Sequence, residues 1–262
     1  MPPIVHHLPP ILLLGLWLLW TAAAWAAASV TLVLSDSSTA YLEAANSLRQ
    51  ALEREDQRWR LRVEPLAARH RVQGEDLVIP MGLRALRAVL AEPGHAPVWA
   101  LMVTRAEYES VAAGPAAASR RPLSALFLDQ PASRQIQMLL AALPDTKSLG
   151  VITSGDDASM TGPLREAAAA RGLNLAVERV ERYGDVIAMI ENMKGRIDLL
   201  LLLPDPLVVD AGTLRPLLLE TYRHRLPVMA YSTPLVAAGA MLAVYASPER
   251  IGREAAMRLS RA

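Results

Sequence analysis

The chain of 262 residues contains no cysteine, and this absence excludes several kinds of structure and chemistry. No disulfide can cross-link the fold, and no thiolate can hold a metal ion. No cysteine is available to carry a lipid after a leader is removed. The folded part of the chain must therefore be stabilised by its hydrophobic core alone.

Aromatic residues and net charge are also scarce. The aromatic fraction is 5%, and a single Phe stands against six Tyr. The 27 Lys and Arg residues nearly balance the 26 Asp and Glu residues, which leaves a formal charge of +1. Proteins that bind nucleic acid present a basic surface to the phosphates. The near-neutral balance therefore argues against a nucleic-acid partner.

The first 28 residues contain no Asp, Glu, Lys or Arg. An apolar run, ILLLGLWLLW from Ile11 to Trp20, is followed by small residues, TAAAWAAAS. This pattern predicts a secretory signal peptide over residues 1–28, cleaved after Ala26 or Ala28, and hence a periplasmic protein. An uncleaved membrane anchor is the alternative, because about 18 uncharged residues approach the length of a membrane span. The segment before the apolar run, MPPIVHHLPP, lacks the Lys or Arg that is usual at the N-terminus of a signal peptide.

After the leader, short β-rich runs alternate with amphipathic helical runs. Val30–Leu34 (VTLVL) and Leu199–Leu203 (LLLLL) are typical of buried strands, and Tyr41–Leu52 has the apolar spacing of a helix. Continuous apolar strands between helices predict parallel sheets covered on both faces. We therefore expect an α/β protein of two Rossmann-like lobes with a cleft between them. The expected N-terminal lobe is 29–128 and the expected C-terminal lobe is 129–262.

In such sheets, ligands bind beyond the carboxyl ends of the strands. Hydroxyls and carboxylates at these positions could accept hydrogen bonds from a ligand, and a tyrosine there could cover a ligand face. A capping or turn-stabilising role is the alternative for the Ser and Asp residues. The candidate ligand-binding residues are Ser35, Asp36, Tyr41, Met81, Asp129, Asp205, Tyr231 and Ser232.

Catalytic and cofactor motifs are absent from the sequence. It contains no G-x-S-x-G elbow, no P-loop and no G-x-G-x-x-G loop. The histidines after the leader, His70, His95 and His224, fall in no ligand-like cluster, and His224 stands at a helix end where a cation favours the helix dipole. We therefore predict no enzyme, no cofactor and no metal site. A periplasmic hydrolase that uses Ser232 or Asp205 is a remaining alternative.

The stretch from Leu123 to Ala256 resembles the periplasmic substrate-binding proteins of ABC transporters. The similarity is to their tryptophan/tyrosine-type group, which has the class I, LacI-like binding fold. It lies in Asp129-Gln130-Pro131, in Leu203-Pro204-Asp205, in Thr221-Tyr222-Arg223, and in Ala238-Gly239-Ala240 leading to Ile251-Gly252-Arg253. In the first lobe only Leu34-Ser35-Asp36 and the order of elements agree.

This resemblance implies two lobes that close on an amino acid or small organic solute and present it to an ABC permease. By position, the ligand contacts would come from Ser35, Asp36, Asp129, Asp205 and Ser232, in a protein expected to be monomeric. Pro80-Met81-Gly82-Leu83 is bulkier than the turn usual in the family, and the sequence ends at Ala262, where relatives often continue. An alternative use of the same fold is a periplasmic sensory or interaction module that reports to a membrane receptor or kinase.

Overall fold

The computed structural model describes residues 28–55, 58–68, 74–114, 121–154, 158–210 and 212–261. The predicted leader, apart from Ala28, lies outside the described residues. Among the helices within the described ranges, none is long and apolar enough to cross a membrane.

The first half of the chain forms a five-stranded sheet in the order β2-β1-β3-β4-β5, with every neighbouring pair parallel. Helices connect these strands on both faces. The elements are β1 (Ala28–Leu34), α1 (Thr39–Glu55), β2 (Trp59–Pro65), β3 (Leu77–Met81), α2 (Leu83–Ala91), β4 (Val98–Val103), α3 (Arg105–Ala112) and β5 (Leu123–Phe127).

The second half forms another five-stranded parallel sheet, in the order β10-β9-β8-β6-β7. Its elements are α4 (Ala132–Ala142), β6 (Ser148–Thr153), α5 (Ala158–Ala169), β7 (Asn174–Arg179), α6 (Val186–Met193), β8 (Leu199–Leu201), α7 (Leu214–Arg223), β9 (Val228–Ala230), α8 (Thr233–Ala238), β10 (Leu242–Ala243) and α9 (Pro248–Leu259). The prediction of an α/β protein with two parallel sheets is confirmed.

Burial explains why these segments form strands and helices. Positions 30–34 of β1 and all three residues of β8 are buried, as continuous apolar strands between two helical layers must be. Helix α2 buries Ala85, Leu86, Val89 and Leu90, which share one face at helical spacing. Each sheet therefore carries hydrophobic clusters of its own on both faces.

The last helix, α9, departs from the predicted division of the chain. Residues 129–262 were expected to form one lobe, but Ala255, Ala256 and Leu259 of α9 belong to the core cluster of β1 and α1. The Ser47 hydroxyl of α1 donates to the Glu249 carbonyl of α9 at 2.8 Å. The chain therefore passes between the lobes twice, near residues 128–131 and again near 244–247.

Close approach of α9 to α1 depends on Gly252. A Cβ atom at this position would lie 2.8 Å from the Leu48 backbone nitrogen and 2.9 Å from the Ser47 Cβ, and it would overlap the Ala44 carbonyl oxygen. Only glycine lets the two backbones come this near. The contact fixes the second crossover against the first lobe.

Candidate functional site

The candidate residues that follow strands do so at the carboxyl ends of β1, β3, β5, β8 and β9. In a parallel sheet these ends share one edge, so each lobe collects its candidates along a single rim. Ser35, Asp36, Met81 and Asp129 belong to the first lobe, together with Tyr41 in the first turn of α1. Asp205, Tyr231 and Ser232 belong to the second lobe.

Ser35 connects the end of β1 to the start of α2. Its hydroxyl donates to the Met81 carbonyl at 2.8 Å and accepts from the Ala85 N–H at 3.0 Å. The side chain is buried, with 4% of the residue exposed. The single donor and one of the two acceptor positions of this hydroxyl serve the fold, so it holds the rim together and leaves little for a ligand.

The side chain of Met81 does not lie on the rim, contrary to the sequence prediction. It is fully buried and packs in the core cluster of β1 and α1. The reason is the pleat, because the last residue of β3 turns its side chain under α1 while its carbonyl faces Ser35. Gly82, which follows at φ 87°, leaves the space that the Tyr41 hydroxyl and the Ser35 hydroxyl occupy.

Tyr41 and Asp36 flank Ser35 at the start of α1. Burial raises the pKa of Tyr41 above its ordinary value, although a hydrogen bond with Ser35 acts in the opposite direction. Asp36 is exposed, and its carboxylate accepts from the Ser38 N–H at 2.9 Å in a turn that begins the helix. Hydrogen bonds from Ser38 lower the pKa of Asp36. Asp36 thus combines a capping role with a charge open to solvent.

Asp129 lies where the chain leaves the first lobe, two residues beyond β5. One carboxylate oxygen accepts from the Arg105 N–H at 2.6 Å, at the N-terminus of α3. Burial raises the pKa of Asp129, and the hydrogen bond from the Arg105 N–H and the positive charge of Arg105 only partly oppose this effect. The site therefore holds a partly desolvated carboxylate, which gains from a cationic partner.

Helix α3 supplies residues that the sequence analysis missed, because only the strand before it was predicted. A reciprocal pair begins this helix: the Glu107 N–H donates to the Thr104 hydroxyl at 3.2 Å, and the Thr104 N–H donates to the Glu107 carboxylate at 2.8 Å. The Arg105 guanidinium lies 4.4 Å from the centre of the Phe127 ring. The signal was available, since Thr104-Arg-Ala-Glu107 is a capping box.

Asp205 is buried in the second lobe, where four protein donors surround its carboxylate. One oxygen accepts from the Ser154 N–H at 2.6 Å and from the Thr153 hydroxyl at 3.3 Å. The other accepts from the N–H groups of Leu207 at 2.9 Å and Val208 at 3.3 Å. This carboxylate joins the end of β6 to the loop after β8, so its role is to hold these two segments of the rim together.

Tyr231 and Ser232 follow β9 and remain partly exposed. Burial raises the pKa of Tyr231, and the negative charge of Asp205 acts in the same direction. Ser232 is the N-cap residue of α8, but its side chain makes no capping hydrogen bond. The second lobe therefore offers the Tyr231 phenol near Asp205 and the Ser232 hydroxyl next to it in the chain.

A groove of about 950 Å³ runs beside the two crossovers, between β5, α4 and α9. Of the eight candidates only Asp129 lines it, together with Arg105, Gln130, Tyr245, Arg250 and Glu254. Tyr245 has 44% of its surface exposed there. Asp129 thus borders both the rim of the first lobe and this groove.

Comparisons with known proteins agree with the geometry. The profile of a family described as ABC transporter substrate binding protein matches residues 122–261. A search of curated proteins finds no match.

Solved structures show the same fold at low sequence identity. A ligand-free, open substrate binding protein with adhesive properties from Clostridium difficile has a TM-score of 0.64 at 16% identity, covering 89% of this chain and 84% of that one. An ABC domain from Streptococcus pneumoniae in complex with L-Trp has a TM-score of 0.56 at 15% identity, with the same coverages of 89% and 84%. A conserved domain protein from Vibrio cholerae has a TM-score of 0.55 at 17% identity, covering 90% of this chain and 84% of that one.

The family profile covers more than half of the sequence and spans the second lobe, the second crossover and α9. It includes Asp129, Asp205, Tyr231 and Ser232, and the fold comparisons extend the likeness to both lobes. This is a family of substrate-binding proteins rather than a class of enzymes. The chain belongs to the ABC transporter substrate binding protein family.

Proposed function

We propose that the protein is exported and captures a small solute between the rims of its two lobes for delivery to an ABC permease. The observation that carries this proposal is the family match over residues 122–261, joined to two parallel sheets connected by two crossovers. Two crossovers let the lobes move as units about a shared hinge, which is how such proteins close on a ligand.

The electrostatics of the first rim favour a solute that carries an amine. Asp129 is partly desolvated, and Asp36 places a second negative charge on the same rim. An ammonium group would compensate the burial of the Asp129 carboxylate, whereas a second carboxylate beside it would be repelled. We therefore propose an amino acid, or another small amine, with its ammonium group directed at Asp129.

Two half-buried tyrosines, one in each lobe, suit the apolar part of such a solute. Tyr41 and Tyr231 both have raised pKa values because of burial, so their hydroxyls stay protonated donors at neutral pH. Closure would place one ring on each side of the ligand. The complex of the Streptococcus pneumoniae relative with L-Trp is consistent with a solute of this size.

A thermal-shift screen of the twenty amino acids, small amines and small organic acids tests the proposal. A ligand that binds only the folded state raises the Tm, by an amount set by its concentration relative to Kd. We expect an amine-bearing solute to stabilise the protein, and Tyr231→Ala to abolish the shift. The matched control is Tyr222→Ala, because Tyr222 is 79% exposed on α7 and lies away from the rims. A shift that survives Tyr231→Ala, or organic acids as the only active compounds, would refute the assignment.

The leader is tested by N-terminal sequencing of protein from the periplasmic and membrane fractions. Ala28 is the first residue of β1, and its N–H donates to the Arg58 carbonyl at 2.8 Å. Cleavage after Ala28 would remove this residue from the sheet, whereas cleavage after Ala26 would keep it. We therefore propose a mature chain that starts at Ala27, and an intact Met1 would instead favour the anchored form.

A further inference from the structure

At the end of the second lobe opposite its rim, three side chains with metal-ligand chemistry converge. The imidazole Nε2 of His224 lies 2.7 Å from a Glu191 carboxylate oxygen and 2.8 Å from a Glu220 carboxylate oxygen. One ligand atom from each of these three residues lies within 4.8 Å of the others. The cluster precedes β9, whereas Tyr231 and Ser232 follow it, so it is separate from the proposed solute site.

Two packed helices hold the cluster in place. Glu220 lies on α7 and His224 is its C-cap residue four positions later, so the two share one face, while Glu191 comes from α6. Ile190 of α6 and Leu217 of α7 pack in the same hydrophobic cluster, which keeps the two helices together. The His224 and Glu220 side chains are only 14% and 13% exposed, whereas Glu191 is 48% exposed. Two of the three groups are thus positioned by packing, and the third can adjust.

The hydrogen-bonding geometry favours a cation between the carboxylates. Both are directed at a single imidazole nitrogen, which offers at most one N–H for the two of them. The Arg223 guanidinium contacts the other Glu220 oxygen at 3.2 Å, which leaves the first oxygen facing His224. A divalent cation in the centre would be bound by all three groups and would satisfy both carboxylate oxygens that face the one imidazole nitrogen.

We propose that Glu191, Glu220 and His224 bind a divalent transition metal of the Zn²⁺ class and clamp α6 to α7. One imidazole nitrogen and two carboxylate oxygens form a ligand set that suits Zn²⁺, with water in a fourth position. Bond lengths of about 2.0–2.2 Å place tetrahedral ligand atoms roughly 3.3 Å apart. The observed separations of 2.7 and 2.8 Å then need to open by only about 0.5 Å. The exposed Glu191 side chain can provide the first of these shifts, and a small rotation of the Glu220 carboxylate must provide the second.

The cluster escaped sequence analysis because Glu191 is 33 residues from His224. Only the Glu220–His224 pair has recognisable spacing, and a single pair at four residues is common on helices without any metal. The third ligand becomes visible once α6 and α7 are packed side by side.

The test is metal binding by the full-length, chelator-treated protein. We expect Zn²⁺ to raise the Tm, and Co²⁺ to give the visible absorption bands of a tetrahedral nitrogen and oxygen site. Loss of a group that merely orients a ligand weakens metal binding about 10–100-fold, so Glu191→Gln and His224→Gln should each weaken it by about 100-fold or more. The matched control, His95→Gln, changes an exposed histidine of the first lobe and should bind as the wild type does.

The outcomes separate the proposal from a simple ion pair. If protonated His224 alone joins the carboxylates, then Zn²⁺ will not change the Tm and the proposal is overturned. It is also overturned if His95→Gln weakens binding as much as His224→Gln, because the metal then binds surface histidines. Glu191→Gln alters a half-exposed side chain. It therefore keeps the test decisive if His224→Gln fails to fold, as checked by circular dichroism.

Discussion

Replacement of Gly252 by alanine should destabilise the protein through the contact between α9 and α1. The new Cβ would meet the Leu48 backbone nitrogen at 2.8 Å and the Ser47 Cβ at 2.9 Å, and it would overlap the Ala44 carbonyl. Two of these three neighbours are backbone atoms, which cannot rotate away. The helices must therefore separate.

Two effects of opposite sign determine the size of the change. Alanine is favoured over glycine within a helix by about 0.5–1 kcal/mol. Overpacking of a tight contact costs about 1–3 kcal/mol, and backbone neighbours place this site at the upper end. We expect a net loss of about 2 kcal/mol, which lowers the Tm of a chain of this size by about 4–8 °C.

Urea and thermal unfolding of the purified chain measure this loss, and the same substitution elsewhere provides the control. Gly184 is exposed, has no positive φ and has no atom within 4 Å of an added Cβ. Gly184→Ala should therefore leave stability unchanged or raise it by about 0.4–1 kcal/mol, because the unfolded chain loses freedom. If Gly252→Ala matches Gly184→Ala, the close packing of α9 on the first lobe is refuted.

Two further substitutions test the carboxylates that hold the second lobe together. Asp205→Asn should lower the free energy of unfolding in urea by about 2 kcal/mol, because its amide would turn an N–H₂ group toward the Ser154 or Leu207 N–H. The control is Asp36→Asn, which changes an exposed residue, keeps its turn and should be almost neutral. Asp198 accepts from the Lys147 and Ser148 N–H groups at 2.8 Å each, and the bond from Lys147 is the main reason that its pKa is lowered. The contribution of Asp198 to stability is therefore present above pH 3.8 and lost as the pH falls through its lower pKa in the folded state. Asp198→Asn should have a lower free energy of unfolding than the wild type at pH 6, and the two should converge in acid.

The fold followed from the sequence wherever an element's own residues determine it. Continuous apolar runs such as β1 identify strands buried on both faces, and their alternation with helices leads to parallel sheets. The position of α9 could not be obtained this way. Its apolar stripe shows that one face is buried, but not against which lobe, and Gly252 becomes informative only beside the backbone of α1.

The sequence predicts where the site residues lie, but not which of their polar groups are already hydrogen-bonded within the protein. The strand-end rule placed Ser35, Asp205 and Tyr231 on the rims, because it depends only on the parallel order of strands. Whether each polar group is free depends on donors that are distant in sequence, as Ser154 is 51 residues from Asp205. The prediction that the Met81 side chain lies on the rim was wrong for a related reason, because the pleat of β3 decides which face of the sheet that side chain occupies.

Asp129 at the first crossover and Asp205 in the second lobe show how existing hydrogen bonds affect the ability of a carboxylate to bind a ligand. Asp205 already accepts from four protein donors, so a ligand bond there would replace bonds that the folded protein has made. Asp129 accepts from one neighbouring N–H, at Arg105, and burial has raised its pKa, so a ligand's ammonium group would relieve an existing cost. The first lobe should therefore bind the solute's charge before closure. We expect the second lobe then to add Tyr231 and Ser232, while Asp205 holds the end of β6 against the loop after β8.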